Sequence, residues 1–350
     1  MKDYEKTMLI KESAMNFKKT DGRALRRFII FMASIAILVL CCILSLRMGS
    51  VKYTTRQVWS ALFPAADINV RNVVINIRLP RMLTAAMVGS NLAVAGALLQ
   101  SVLRNPLADP GIIGVSAGAG LAAVTILLVF PGLSFLVPAG AFIGATAASF
   151  LVYILAWKRG VEPIRIVLSG VAVNAVLGGG ISLLSHLYSD RIQGVLLWLN
   201  GSIAGKSWPQ VKMLFPYTII GLILSVFCIQ PANALQLGDN VAKNLGIRVN
   251  RTRVLLCMTA AFLSGVSVAA VGLIGFVGLM VPHISRMLVG SDYRFMLPSS
   301  GIMGAALLVM ADSVARSAFS PLELPVGIFM AVLGGPFFIF LLRKGGAYKA

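Results

Sequence analysis

Ten apolar runs recur along 350 residues. Most have the roughly 17 to 25 positions that carry an α-helix across ~30 Å of hydrocarbon. No other feature narrows the folds open to this chain so far. A backbone inside lipid finds no water for its N–H and C=O groups, so it must be helical or belong to a closed barrel. The runs lack the dyad alternation of barrel strands. The expected fold is all-α and polytopic, with about ten transmembrane helices at 28–46, 82–103, 112–130, 134–157, 166–186, 211–229, 254–275, 277–290, 298–316 and 324–342. The eighth run is too short to cross alone unless its neighbours bury its ends, and it also reads as a half-helix with the seventh. Only 12% of residues are charged, far from the usual make-up of a soluble domain.

Lysine and arginine set the expected orientation. Residues 1–27 form a basic N-terminal segment that includes Lys18, Lys19, Arg23, Arg26 and Arg27. It resembles the charged head of a signal peptide, but Arg47 follows the apolar run and no small-residue cleavage site appears, so an uncleaved first helix is expected. With residues 1–27, the loop 230–253 and the tail 343–350 in the cytoplasm, about two thirds of the Lys and Arg lie on that side. Arg47, Lys52, Arg56, Arg71, Arg78 and Arg81 in the first external loop go against the rule. A net charge of +19 spread over loops suits anionic membrane lipid rather than nucleic acid. Cys41, Cys42, Cys228 and Cys257 all fall in apolar runs and behave as small hydrophobes. Two histidines and 12 acids give no basis for a metal site or a cofactor.

The chain lacks the parts of an enzyme. WLNGSIAGKSW (198–208) nearly spells a phosphate-cradling loop, but Asn200 stands where the first glycine is needed and Gly201 is one position too close. No nucleophile with its base and no carboxylate pair stands out. Uphill transport would draw on an ion gradient or on a partner. Within the runs the candidate acid is Asp312, with Arg316 four residues on along the same helical face. An ion pair is the simpler reading and a proton relay the other.

RNPLADPGIIGVSAGAG (104–120) interrupts two apolar runs. Its prolines end one helix and open the next, leaving a tight polar turn. Gly114, Gly118 and Gly120 then give a helix start that other helices, or a passing solute, can approach closely. AAMVGSNLAVAG (85–96) resembles AAFLSGVSVAAVG (260–272), and each precedes a proline with a glycine eight positions on: Pro106 to Gly114, and Pro282 to Gly290. This is the pattern of an inverted repeat relating spans 2–5 to spans 7–10. In the loop 230–253, Leu237, Val241 and Leu245 recur every fourth residue and Gly246 is placed to stop the helix. Such a two-turn amphipathic helix seeks a groove on a partner, or lies on the membrane surface.

Four blocks in order carry a family resemblance: 78–120, 237–246, 272–305 and 311–338, including RLPRMLTAAMVGSNLAVAGALLQ, LGDNVAKNLG, GLIGFVGLMVPHISRMLVGSDYRF and ADSVARSAFSPLELPVGIFMAVLGGPFF. From about residue 28 to its end the chain resembles the permease subunits of bacterial importers for iron-siderophores, haem and vitamin B12, the FecCD type of ABC transporter. The resemblance implies a permease in the bacterial cell membrane, paired with a second permease subunit that is a copy or a paralogue. It implies cytoplasmic ABC ATPase subunits, an extracytoplasmic substrate-binding protein, and an iron chelate, foremost a ferric siderophore, as cargo. By the same resemblance Arg78, Arg81 and Arg316 meet acids of the binding protein, with Asp312 orienting Arg316; interfacial anchoring is the alternative for the first two. Leu235, Leu237, Gly238, Asp239, Val241, Ala242, Leu245 and Gly246 would couple to the ATPase. Asn105, Pro106, Pro163 and Ile164 would line the path or gate. Vitamin B12 permeases carry small hydroxyl residues just before the position of Arg165, where this chain has Glu162, Pro163 and Ile164, which argues against that cargo.

Overall fold

A computed structural model describes residues 2–49, 51–63, 67–158, 160–318 and 322–344, leaving aside the side chains of 2–22, 342 and 344. Of the tail 343–350, expected as a cytoplasmic segment, residues 343 and 344 continue the last helix and 345–350 lie outside the described residues. Among the described residues all regular structure is helical, apart from one isolated bridge between Trp157 and Val161.

Seven helices are long and apolar enough to cross a bilayer: Arg23–Arg47, Ile68–Leu103, Pro131–Ala156, Pro163–Leu187, Trp208–Phe227, Val249–Val271 and Tyr293–Ser317. Three shorter apolar helices, Val115–Val129, Val277–Val289 and Val326–Leu341, complete the ten. In chain order they are spans 1 to 10. Helix 1 extends back to Lys2, so the basic N-terminal segment continues the first span. Local chemistry sets several boundaries. Pro163 opens span 5, and a reciprocal Ser207–Gln210 capping box opens span 6. Span 7 ends at Gly272, whose φ of +79° suits a residue without a Cβ, so it stops short of the expected 275.

Spans 2, 7 and 9 form the buried centre, whereas spans 1 and 5 keep most of their surface exposed. Helices in lipid associate through close packing, and here glycines meet in pairs. A methyl group on Gly89 would collide with the carbonyl of Gly304, and one on Gly118 with the carbonyl of Gly144. Buried polar groups reinforce the crossings: Asn91 Nδ2 donates to Thr218 Oγ1 (2.9 Å) and Tyr293 Oη to the Ala97 carbonyl (2.7 Å).

The neighbour pattern carries the two-fold relation. Span 2 packs on spans 9 and 8 as span 7 packs on spans 4 and 3. The pairs 3–4, 3–5 and 4–5 are matched by 8–9, 8–10 and 9–10, with spans 2 and 7 in mutual contact at the centre. The proline correspondence expected from sequence does not hold. Pro106 lies in the turn before span 3, but Pro282 lies inside span 8. The matching positions are the left-handed residues that launch each short span, Gly114 (φ +86°) and Phe276 (φ +67°). Span 8 has 13 residues, or roughly 20 Å of helix. Gly278 near its start lies against Gly96, well along span 2, so the break at 272–276 falls within the bundle.

The packing predicts that Gly89→Ala costs about 1–3 kcal/mol through forced separation of spans 2 and 9. Gly132→Ala, at a position with nothing within 4 Å of the added methyl, serves as the neutral control. Thermal unfolding in detergent, followed by fluorescence size exclusion, distinguishes the two.

Candidate functional site

The turns after spans 2, 4, 6 and 8 gather at one end of the bundle. After span 6, a helix Ile229–Gln236 leads through Leu237 to Gly238, whose φ of +100° breaks it. A second helix, Asp239–Asn244, follows and stops before Gly246 (φ +79°). The stop at Gly246 is as expected, but the single two-turn helix carrying Leu237, Val241 and Leu245 is corrected: Gly238 breaks it after Leu237, Val241 alone lies inside the six-residue second helix, and Leu245 caps its end. Leu237, Val241 and Leu245 are 62%, 45% and 61% exposed, while Leu235 and Ala242 are buried against the bundle. Inner anchors with a bare outer stripe make a protruding apolar knob.

The knob is tied to its surroundings through Arg253, which the sequence reading missed. This arginine is in the first turns of span 7 and is almost wholly buried. Its Nη2 reaches both Asp239 carboxylate oxygens (2.8 and 3.0 Å), and its Nη1 donates to the Val161 carbonyl. Arg104, in a left-handed conformation at the end of span 2, also pairs with Asp239 (3.2 Å). Asn250 Oδ1 accepts from Val161 N–H (3.2 Å). One carboxylate thus joins the knob to the turns after spans 2 and 4. The detectable signal was a cation at the edge of an apolar run with an acid fourteen residues earlier, and sequence distance hid the pairing.

The expected gate residues sit at this same end. Asn105 and Pro106 are exposed, and the Asn105 side chain accepts from Leu107 N–H (2.9 Å) to shape the turn. Asp109 caps the short helix Pro110–Ile113 by accepting from Gly111 N–H (2.8 Å). Span 5 lies directly on that helix: Asn174 Nδ2 donates to the Gly111 carbonyl (3.0 Å), and Gly170 leaves room only for the Ile112 carbonyl. Pro163 and exposed Ile164 begin this span, beside a Glu162–Arg165 pair at 3.3 Å. The polar interruption at 104–120 is therefore a tight turn whose backbone is shared with span 5.

At the opposite end Arg78, Arg81 and Arg316 are all buried, each with partners in the chain. Arg78 donates to the carbonyls of Leu46 (2.7 Å), Arg47 (3.1 Å) and Val51, with its guanidinium over Tyr53. Arg316 donates to the carbonyl and hydroxyl of Ser45. The expected Asp312–Arg316 ion pair is corrected: Asp312 is bound by both Nε and Nη2 of Arg81 (2.8 and 3.0 Å). The guanidinium fork of the facing span fits a carboxylate bidentately, whereas Arg316 turns to the orphan carbonyls that end span 1. Glu323 completes the cluster at 2.7 Å from Arg81. Exposed cations at this end include Lys52, Arg56, Arg191 and Lys212.

The near-miss phosphate loop is a packed connection. Ser202 N–H donates to the Val271 carbonyl (2.8 Å) and Gly327 N–H to the Gly201 carbonyl (3.0 Å), fastening it over the break between spans 7 and 8. Among the described residues no group of three His, Cys, Asp or Glu could hold a metal ion.

Ten apolar helices, seven of them long enough to cross a bilayer, define a polytopic membrane protein. Residues 37–344 match the model of the FecCD transport family, and the chain belongs to that family. It is 40% identical over 333 residues to the Fe(3+)-citrate import system permease protein YfmD of Bacillus subtilis, covering 95% of this chain and 100% of that relative. It is 37% identical over 323 residues to the hemin transport system permease protein HmuU of Yersinia pestis, covering 88% and 93%. A solved inward-facing ABC transporter of metal-chelate type superposes with a TM-score of 0.79 at 30% identity, covering 90% of this chain and 99% of that one.

Removing the carboxylate in Asp312→Ala strands the buried Arg81 charge with only half-exposed Glu323 for compensation. The expected loss is about 3–5 kcal/mol. A thermal unfolding series in detergent measures it, with Glu323→Gln as the milder comparison.

Proposed function

We propose that this chain imports an iron chelate, most simply a ferric siderophore, as one of two permease subunits whose alternating access is driven by a separate ATPase. The observation that carries the reading is the knob at Leu237, Val241 and Leu245. Exposed apolar residues on and flanking a short helix, tied by ionic contacts to two neighbouring turns, are built to receive force from a partner with a matching groove. Relatives named for iron citrate and hemin support a metal-chelate cargo. Chelate choice lies with the extracytoplasmic binding protein.

The end bearing the knob is cytoplasmic in this proposal, together with both termini. Asn105, Pro106, Pro163 and Ile164 then stand at the inner mouth, where span 5 and the turn 104–114 share backbone contacts. Arg78, Arg81 and Arg316 serve docking from behind. By holding the ends of spans 1, 2 and 9 together they shape an external rim on which exposed Lys52 and Arg56 meet acids of the binding protein, an attraction that weakens with salt. Charge reversal of the buried three would damage the fold as well as docking, so it does not isolate the docking step.

A secondary carrier would need an intramembrane acid free to exchange protons, and Asp312 is committed to Arg81. The decisive experiment is uptake of a ferric siderophore into liposomes containing the complete transporter. ATP-dependent uptake is expected; uptake driven by a proton or sodium gradient without the ATPase overturns the proposal. Leu237→Asp and Leu245→Asp should each reduce ATP-driven uptake at least tenfold and weaken co-purification of the ATPase, while capture of the binding protein persists. Unaltered co-purification would remove the knob from the coupling role.

A further inference from the structure

Span 1 has little protein around it, yet its basic end is not featureless. Leu25, Phe28, Ile29 and Met32 are exposed along it. Beside Phe28, span 1 and the facing end of span 8 and start of span 9 enclose an open groove of about 580 Å³. Its walls are aromatic, from Phe28, Phe31 and Phe295, and its cations are Arg23, Arg27 and Arg294.

The three arginines are placed differently. Arg27 is a prop: Nε donates to the Val289 carbonyl at the end of span 8 (3.0 Å), and its guanidinium lies 4.3 Å from the Phe295 ring centre. Arg294 is mostly exposed and shares Asp292, which also accepts from Asn233 Nδ2 (3.0 Å) and from the Arg294 backbone N–H. Burial opposes ionisation of Asp292, but these bonds hold its carboxyl below the usual range. Arg23 is exposed and has no ion-pair partner among the described residues. Among the described residues the groove therefore gathers three guanidiniums, of which only Arg294 pairs with a carboxylate, and that carboxylate is already shared.

Guanidinium forks match phosphate oxygens, and aromatic walls match hydrocarbon. A free phosphate would leave the rings unused. An acidic peptide segment would need apolar residues of its own in register. A molecule that carries an anion and a chain together, and that surrounds this part of the protein at high concentration, is phospholipid. We propose that the groove is a binding site for an anionic membrane phospholipid, its phosphate held by Arg23 and Arg294 and an acyl chain lying along Phe28 and Phe31. Occupancy would pin span 1, whose surface is mostly exposed, to spans 8 and 9. The inference needs only that the chain spans a membrane, and does not depend on the cargo or the ATPase.

Native mass spectrometry of the complete transporter, carried through graded delipidation with phosphatidylglycerol or phosphatidylcholine, tests it. One retained phosphatidylglycerol per copy of this chain is expected, with phosphatidylcholine lost. Arg23→Gln combined with Arg294→Gln should weaken retention roughly tenfold or more, and the doubly Lys-substituted protein should keep most of it. Hydrogen exchange of the unmodified protein in nanodiscs supplies a readout independent of variants, with 23–31 and 289–299 protected by phosphatidylglycerol and not by phosphatidylcholine. Equal retention of the two lipids, undiminished retention in the Gln variant, equal protection by inorganic phosphate, or exclusion of lipid when the ATPase is bound would each overturn the proposal.

Discussion

A peptide group in hydrocarbon must find its hydrogen-bond partner within the protein, and the architecture follows from that necessity. Helices satisfy it along their length but leave the last carbonyls and first N–H groups open. The chain covers the interruption between spans 7 and 8 with other backbone. Between spans 7 and 8 the segment 272–276 is crossed by the connection after span 5, whose Ser202 and Gly201 bond to Val271 and Gly327. Close approach of that kind requires glycine. A Cβ on Gly201, Gly272 or Gly327 would strike a carbonyl oxygen.

Arginine binds several of the carbonyls left open at helix ends and turns. Arg78 and Arg316 bind those at the end of span 1, Arg27 the one at the end of span 8, and Arg253 the turn after span 4. A guanidinium offers five donors and stays charged, so it can serve several acceptors where the helix dipole is negative. Two of the cations that break the positive-inside pattern, Arg78 and Arg81, are thereby accounted for: they are interior fasteners. Their placement also gives the two ends of the bundle different mechanics. At one end Arg81, Asp312 and Glu323 lock spans 2 and 9. At the other, Asp239 shared between Arg104 and Arg253 joins a protruding helix to the turns of neighbouring spans.

Much of this was legible in advance. The ten runs, the all-helical class and the small-residue interfaces follow from hydropathy and glycine spacing, which are local properties. The knob was readable in part, because Leu237, Val241 and Leu245 recur every fourth residue before a stop at Gly246, but the break at Gly238 between Leu237 and Val241 was not. The Asp312–Arg316 pairing was not, since four-residue spacing shows that two side chains share a face and leaves unsaid which of them a third chain segment will claim. Arg253 escaped for the same reason: its partners are fourteen and ninety-two residues away.

The sequence by itself determined that this protein lives in a membrane, that it crosses about ten times, and that it carries a short greasy helix outside its apolar runs. Those features depend on transfer free energy and backbone periodicity, which each segment expresses alone. Only the tertiary structure decided which cations are spent inside the bundle and which remain for partners. Two helices must be brought face to face before a guanidinium can choose among a carboxylate, a helix-terminal carbonyl and water, and that choice depends on distances of a few ångströms that no single segment encodes.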